Sequence, residues 1–512
     1  MCGLLGVFGD INSKEFIKSL STIKSRGETS SGIYLQNKHE TIFNNNINLD
    51  SFDLNEEYNV SLGHNLLSIF KGYNNKYNRQ PYVFKNLVLT FNGEIYNFSD
   101  VAGYIKNNSS LGADFSSDSE LLIKLIYVLL TKNDFNLLKA LKETINIIHG
   151  DYSFGVFDGE NIGLCRDKIG VKPLYYGFND KFKAFSSEKK ALWSLGIYEI
   201  SSLKPGHILY NWQDIPPKNY LWDNTISKDK YSDYNNIQIK LKDLLIKSVE
   251  SRTNFIDKIG LIFSGGVDSS LLAIILKDLS LKKGFDFKLY SVGAENSKDL
   301  KSSIEFAKIM DIPIKTLIIT KDMVKDSVDD VLLAIEEANL MKLGVGMTVY
   351  FACKLLKEDG CNVALSGQGA DELFGGYNRY LKVFNEDKPY LKLSNDLKKD
   401  IKNIYHVNLE RDDACSMING VELRVPFLDD KLVEYALNIP SEFKIKSEDD
   451  DLRKNILRDT GFSMGLLNKW AYRPKKAAQY GSGIHKILQK KVLKGINLNE
   501  YYDDLINKKY SF

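Results

Sequence analysis

Residues 258–278 read KIGLIFSGGVDSSLLAIILKD. A short apolar run meets two adjacent glycines, and a longer apolar stretch follows at once. A run apolar on every residue suits a strand buried on both faces, the usual condition in a parallel sheet covered by helices. The glycines mark a turn, and the length of the second stretch predicts a helix. The same rhythm returns with DFKLYSV (286–292), SSIEFAKIM (302–310), PIKTLIIT (313–320) and CNVALSG (361–367), preceded by an amphipathic helical pattern in NIQIKLKDLLIKSVESR (236–252). Strands alternating with helices predict a doubly wound α/β domain with a mostly parallel sheet.

The first 200 residues have another texture. LVLTFNGEIYNF (87–98), DYSFGVFDG (151–159), NIGLCRD (161–167) and KPLYYGF (172–178) are β-rich runs set between turns, and SELLIKLIYVLL (119–130) has helical spacing. Runs of strands with few crossovers predict an α+β domain of packed antiparallel sheets. The stretch 211–236 is polar and carries Pro216-Pro217, which reads as a linker. The expected division is therefore 2–210, a linker at 211–236, and 237–512. A chain of 512 residues is too long for one core.

Several function classes are disfavoured. With 68 basic and 66 acidic residues the net charge is +2, which gives no reason to expect a nucleic acid or an acidic surface as partner. No apolar run reaches bilayer-spanning length. No basic stretch precedes the short apolar start MCGLLGVFGD, so a secretory leader is not expected. A soluble, cytoplasmic enzyme is the expectation. Cysteines at 2, 165, 353, 361 and 415 are odd in number and lack CxxC spacing, arguing against a disulfide framework and a structural zinc site.

Cys2 is chemically conspicuous. Removal of Met1 exposes an α-amine of pKa about 8 beside the thiol, able to accept its proton as the sulfur attacks. By itself this is weak, since a buried first-strand cysteine looks the same. NGEIYN (92–97) adds the Asn92 side chain and the Gly93 backbone N–H, the two donors an oxyanion hole needs. Glu94 could hold an ammonium group. Asp118 in SSDSE reads equally as an acid in a helix first turn. SRGETSSG (25–32) is a turn carrying Arg26.

In SGGVDSS (264–270) the glycines let backbone N–H groups approach phosphate oxygens at a helix N-terminus. The Lys of a GxxxxGK[ST] loop is missing, which excludes a Walker-type signature. In ALSGQGADELFGGYNRY (364–380), Asp371 and Glu372 are either solvated loop acids or, beside Asp268, oxygen ligands for Mg²⁺ on a pyrophosphate. RPKKAAQYGSG (473–483) offers Arg473 and Lys475 to a phosphate.

These strings carry a resemblance. MCGLLGVFG, RGETSSG, GHNLLSI, NGEIYN and SDSE, in that order, resemble the glutaminase domain of class II glutamine amidotransferases, an N-terminal-nucleophile fold. SGGVDSS resembles the PP-loop of ATP pyrophosphatases. Together with CSMINGVELRVPFLD (415–429), the collinear set resembles the glutamine-hydrolysing asparagine synthetases over nearly the whole chain. The resemblance implies that Cys2 attacks the glutamine amide and that Asn92 and Gly93 stabilise the oxyanion. Glu94 and Asp118 would hold the glutamine ammonium. It further implies that Ser264, Gly265, Gly266, Asp268, Ser269 and Ser270 bind ATP phosphates, while Ile262, Val292, Ser366 and Gly367 line the adenosine pocket. Asp268 and Asp371 would take Mg²⁺, and Lys475 would neutralise departing pyrophosphate. Aspartate would be adenylated, then converted to asparagine by ammonia led through an internal tunnel.

The departures fall at recognised places. Leu66 stands where the family carries the Arg for the glutamine α-carboxylate, and an aliphatic chain cannot replace that fork; either another cation, Arg26 or Arg79, takes its place, or glutamine binds weakly. Met341, Lys342 and Gly344 stand where the family has Thr-Thr-x-Arg, and Gln368 stands where a Glu is thought to assist ammonia attack. Three readings stay open: an asparagine-forming ligase, the same mechanism on another carboxylate, and a non-catalytic nucleotide-binding homologue. Expected partners are glutamine, ATP and the carboxylate, with a homodimer left open.

Overall fold

A computed structural model describes residues 2–69, 79–112, 114–223, 233–474 and 481–510. It divides into two compact units, Met1–Lys218 with Ile506–Phe512, and Asn219–Leu505. No helix among the described residues is long and apolar enough to cross a membrane.

The first unit holds two antiparallel sheets. One, of seven strands, centres on β1 (Gly3–Asn12) paired with β2 (Glu57–Leu66); the other, of six, centres on β3 (Leu87–Ile95) paired with β4 (Gly150–Phe157). Side chains alternate across each strand, and the cores follow that alternation. Leu4, Leu62, Val88, Phe157, Leu164 and Phe185 form one apolar layer drawn from both sheets. Leu5, Val7 and Ile33 pack instead with Phe16 and Leu20 of the helix Ser13–Ser21. Leu87, Leu89 and Phe154 pack with Leu121, Leu125 and Leu129 of α1 (Asp118–Lys132). The result is helices outside two apposed sheets, the α+β arrangement expected. By the same parity Cys2 falls with Leu4, and Asn92 falls with Val88.

The polar stretch expected as linker from 211 is partly folded. Gln213–Ile215 pairs with Ile208–Tyr210 across Asn211 and Trp212, whose φ values of 46° and 69° are both positive. That is the handedness a two-residue hairpin turn requires. The break between units falls at Lys218 and Asn219.

The second unit is built on five strands, all parallel: β5 (Lys258–Ile262), β6 (Asp286–Gly293), β7 (Ile314–Ile318), β8 (Val363–Leu365) and β9 (Glu422–Arg424), in the spatial order β7-β6-β5-β8-β9. Succession runs outward from β5 through β6 to β7, then resumes on its other side with β8 and β9. The reversal makes a switch point at the carboxyl ends of β5 and β8, where such sheets bind ligands. The helix α2 (Val267–Lys283) follows β5 directly.

Candidate active sites

The backbone nitrogen of Cys2, which becomes the α-amine once Met1 is removed, donates to Asn92 Oδ1 at 2.8 Å. Cys2 is buried and Asn92 fully so. This bond turns the amide so that its Nδ2 finds no acceptor among the described residues. A buried unsatisfied donor is costly, and an oxyanion formed beside Cys2 would satisfy it. Gly93 has φ 156°, and a Cβ there would lie 2.2 Å from the Asp151 carbonyl oxygen; only glycine lets β3 and β4 close at this point. Asp118 is the first residue of α1, capped by Ser117. Its Oδ2 accepts from Ile95 N at 3.0 Å, which ties it beside the backbone of Glu94.

Arg26, expected near the glutamine carboxylate, is engaged with protein groups in this structure. It is fully buried; Nε donates to the Cys2 carbonyl at 3.0 Å and Nη1 to Glu188 Oε1 at 2.9 Å. Lys190 meets the other Glu188 oxygen at 2.5 Å. These two cations hold the Glu188 carboxyl below its usual range against the opposing effect of burial. Arg26 therefore steadies the backbone of Cys2, with its charge committed to Glu188. Leu66 is buried on β2, and Arg79 is exposed. His64, buried with Nε2 3.1 Å from the Phe91 carbonyl, is pushed by burial down to about 3 and stays neutral at working pH.

In the second unit a cavity of about 170 Å³ opens at the switch point. Its walls include Ile262, Ser264, Asp268, Ser269, Val292, Ser366, Gly367 and Asp371, so most of the nucleotide and metal residues read from sequence converge. Gly265, Gly266 and Ser270 are not among the lining residues. Gly265 instead shapes the loop, with φ 68°. Arg473 Nη1 donates to the carbonyls of Gly265 at 2.7 Å and Ser264 at 3.2 Å, and Nη2 to Asp299 at 3.0 Å. Expected on a phosphate, Arg473 holds the loop by its carbonyl side. Lys475 lies outside the described residues.

Lys454 is the residue sequence reading missed. Its fully buried ammonium donates to both Asp268 oxygens at 2.7 and 2.6 Å and lies 2.5 Å from Asp371 Oδ1. The two acids thus converge on one cation, as two ligands of one metal must. A Cβ at Gly376 would stand 1.8 Å from Asp371 Oδ1 and 2.2 Å from Lys454 Cε, so FGGY is part of this packing. No group of three or more His, Cys, Asp or Glu poised for a metal occurs among the described residues. Two carboxylates completed by substrate phosphates are the donor set Mg²⁺ commonly uses. In DLRKNILRD (451–459) a lysine reads as a solvated helix start; only its left-handed φ of 52° and its burial set it apart.

On the acceptor side, Lys342 is paired with Glu337 at 2.5 Å and does not line the cavity. A Cβ at Gly344 would strike the His485 ring at 2.3 Å, so His485 occupies the room a larger side chain at 344 would need. Gln368 does line the cavity.

Residues 240–396 and 388–509 match the asparagine synthase family, and residues 64–194 match a glutamine amidotransferase domain. The molecule is thus of the amidotransferase class that joins a glutamine-using domain to an ATP-using synthase domain. A protein of Methanocaldococcus jannaschii, provisionally named a glutamine-hydrolysing asparagine synthetase, is 38% identical over 99% of each chain. Asparagine synthetase B (glutamine-hydrolysing) of Escherichia coli is 27% identical over 94% of this chain and 82% of its own, and the human asparagine synthetase is 26% identical over 79% and 73%. The chain belongs to the glutamine-hydrolysing asparagine synthetase family, carbon–nitrogen ligases with glutamine as amido donor.

Proposed function

We propose that this chain converts aspartate, glutamine and ATP into asparagine, glutamate, AMP and pyrophosphate. The hydrogen bond from the Cys2 nitrogen to Asn92 carries the reading, because it joins nucleophile, base and oxyanion donor in one buried contact. The α-amine takes the thiol proton as Cys2 Sγ adds to the glutamine amide carbon. Asn92 Nδ2 and the Gly93 N–H receive the oxyanion. Ammonia leaves, and water then hydrolyses the thioester to glutamate.

In the second unit the SGG loop receives the ATP phosphates, and Ile262, Val292, Ser366 and Gly367 receive the nucleoside. The β-carboxylate of aspartate attacks the α-phosphate, pyrophosphate departs, and ammonia displaces AMP from the acyl carbon. A carboxylate cannot react with ammonia until its oxygen can leave, which adenylation achieves. Mg²⁺ held by Asp268 and Asp371 would spread the pyrophosphate charge. Lys454 and Lys475 would add to this.

A second reading keeps the mechanism and changes the acceptor. It is favoured by Lys342 being tied to Glu337 and by His485 standing over Gly344.

The test is Cys2→Ala. Glutamine-dependent asparagine formation should disappear, while synthesis from added ammonium proceeds at the wild-type rate, followed by mass spectrometry and pyrophosphate release. Undiminished glutamine use in the variant, or no pyrophosphate from wild type with aspartate, defeats the reading.

A further inference from the structure

The helix α3 (Leu340–Glu358) carries Gly346, where a Cβ would stand 2.8 Å from Cys415 Sγ and 3.6 Å from Arg411 Cγ. That glycine lets α4 (Glu410–Met417) lie directly on the α3 backbone. The close approach brings Asp412 to the cavity wall, together with Val345, Thr348 and Val349 of α3. Asp412 is only 3% exposed.

Both contacts of Arg411 fall on a single oxygen: Nε at 2.8 Å and Nη2 at 2.7 Å from Asp412 Oδ1. Oδ2 accepts no hydrogen bond among the described residues. Asp412 thus keeps one acceptor oxygen open on a cavity wall while Arg411, which does not line the cavity, balances its charge.

The rest of the lining is equally one-sided. The cavity's charged residues are Asp268, Asp299, Asp371 and Asp412, and no Lys, Arg or His among the described residues lines it. Lys454 pairs with Asp268 and Asp371, and Arg473 with Asp299, and neither cation is among the lining residues. The first two acids are assigned to the metal, and Asp299 is engaged in steadying the loop. Asp412 has no such task. A buried carboxylate oxygen in the wall of a cavity that Thr348 and Gln368 also line suits a charge-assisted hydrogen bond from a cation.

We propose that Asp412 selects the acceptor by receiving the ammonium group of an amino-acid carboxylate. This rests on the adenylating role of the cavity and deepens it, naming the acceptor feature the site reads.

The test compares aspartate with succinate, which has both carboxylates and no ammonium. Pyrophosphate release is followed for the full chain with Mg-ATP and added ammonium, in wild type and in Asp412→Asn. Wild type should prefer aspartate by about 10- to 100-fold in kcat/KM, the value of one charged hydrogen bond. Asp412→Asn should lose that preference through the acceptor KM, with the KM for ATP unmoved. A merely structural role would depress both acceptors alike and leave the ratio intact, which overturns the proposal. Should Asp412→Asn not fold, wild type decides alone: equal use of succinate overturns the proposal, and rejection of succinate supports it. If aspartate is inert but glutamate or β-alanine releases pyrophosphate with the same dependence on Asp412, the proposal stands and aspartate falls as substrate. Pyrophosphate release with no ammonium-bearing carboxylate defeats both.

Discussion

The two candidate sites handle buried charge in opposite ways. Beside Cys2, Arg26 and Lys190 close on Glu188, and the Asn92 Nδ2 finds no acceptor among the described residues. At the switch point, Asp268 and Asp371 are satisfied by Lys454, in the position a metal would share with them. On the proposed reading, the first site is preorganised for a charge that appears during reaction. The second pairs its two acids with a buried ammonium that, on the proposed reading, would give way to Mg-ATP. Electrostatic preorganisation costs no rearrangement at the moment of reaction, whereas an ammonium between two carboxylates would have to be redirected toward phosphate.

The largest effect should follow from removing that ammonium. Lys454→Met should lower pyrophosphate release about 10³-fold in kcat, the upper range for one preorganised charge, with glutaminase activity retained. The same variant should bind Mg²⁺ alone more tightly than wild type in calorimetry, because two facing carboxylates then lack a cation. Unchanged Mg²⁺ binding would break the comparison, since Lys454 and the metal would then not compete.

Next is Asn92→Ala. Losing one oxyanion donor costs about 10²-fold or more in kcat, so glutamine hydrolysis should fall by that factor with KM for glutamine little changed. Ammonium-dependent synthesis should be untouched. A change in KM alone would mean that Asn92 binds the ground state, and the description of a preorganised first site would fail.

The contrast also explains what could be read from sequence. The first site draws on β1 of one sheet and β3 of the other, whose facing side chains share a layer; NGE is contiguous on β3, and alternation puts Cys2 and Asn92 in that layer. The strand–loop–helix order through SGGVDSS likewise gives the parallel sheet and the cavity's position. The pairing of Arg26 was not legible because a turn residue near a predicted carboxylate site looks available, and nothing local reveals its contact with Glu188, 162 positions away. Lys454 was invisible for the same reason, being 186 residues from Asp268. The hairpin at Asn211–Trp212 was hidden in a polar stretch because its turn uses two positive φ values without glycine. Contacts between distant segments, and backbone conformations that composition does not announce, are what sequence pattern leaves out.

The smallest effect expected is on stability against pH, and it tests the closed network of the first site. Glu188 is held below the ordinary glutamate value, with burial opposing and Lys190 and Arg26 prevailing. A carboxyl with a depressed folded pKa contributes stability that is full above its unfolded value, about 4.3. That contribution fades as pH falls through the lower folded value. The urea midpoint of the N-terminal unit should therefore be flat between pH 7 and 5 on this account and drop between pH 5 and 3. In Glu188→Gln, Arg26 and Lys190 are left uncompensated, so the midpoint should be lower at pH 7 and its slope below pH 5 shallower. Since Arg26 also holds the Cys2 carbonyl, the variant should lose glutaminase activity more than a distant destabilising substitution of equal midpoint. If the two lose activity equally, the network supports the unit's stability without positioning Cys2, and the first site is less preorganised than its hydrogen bonds imply.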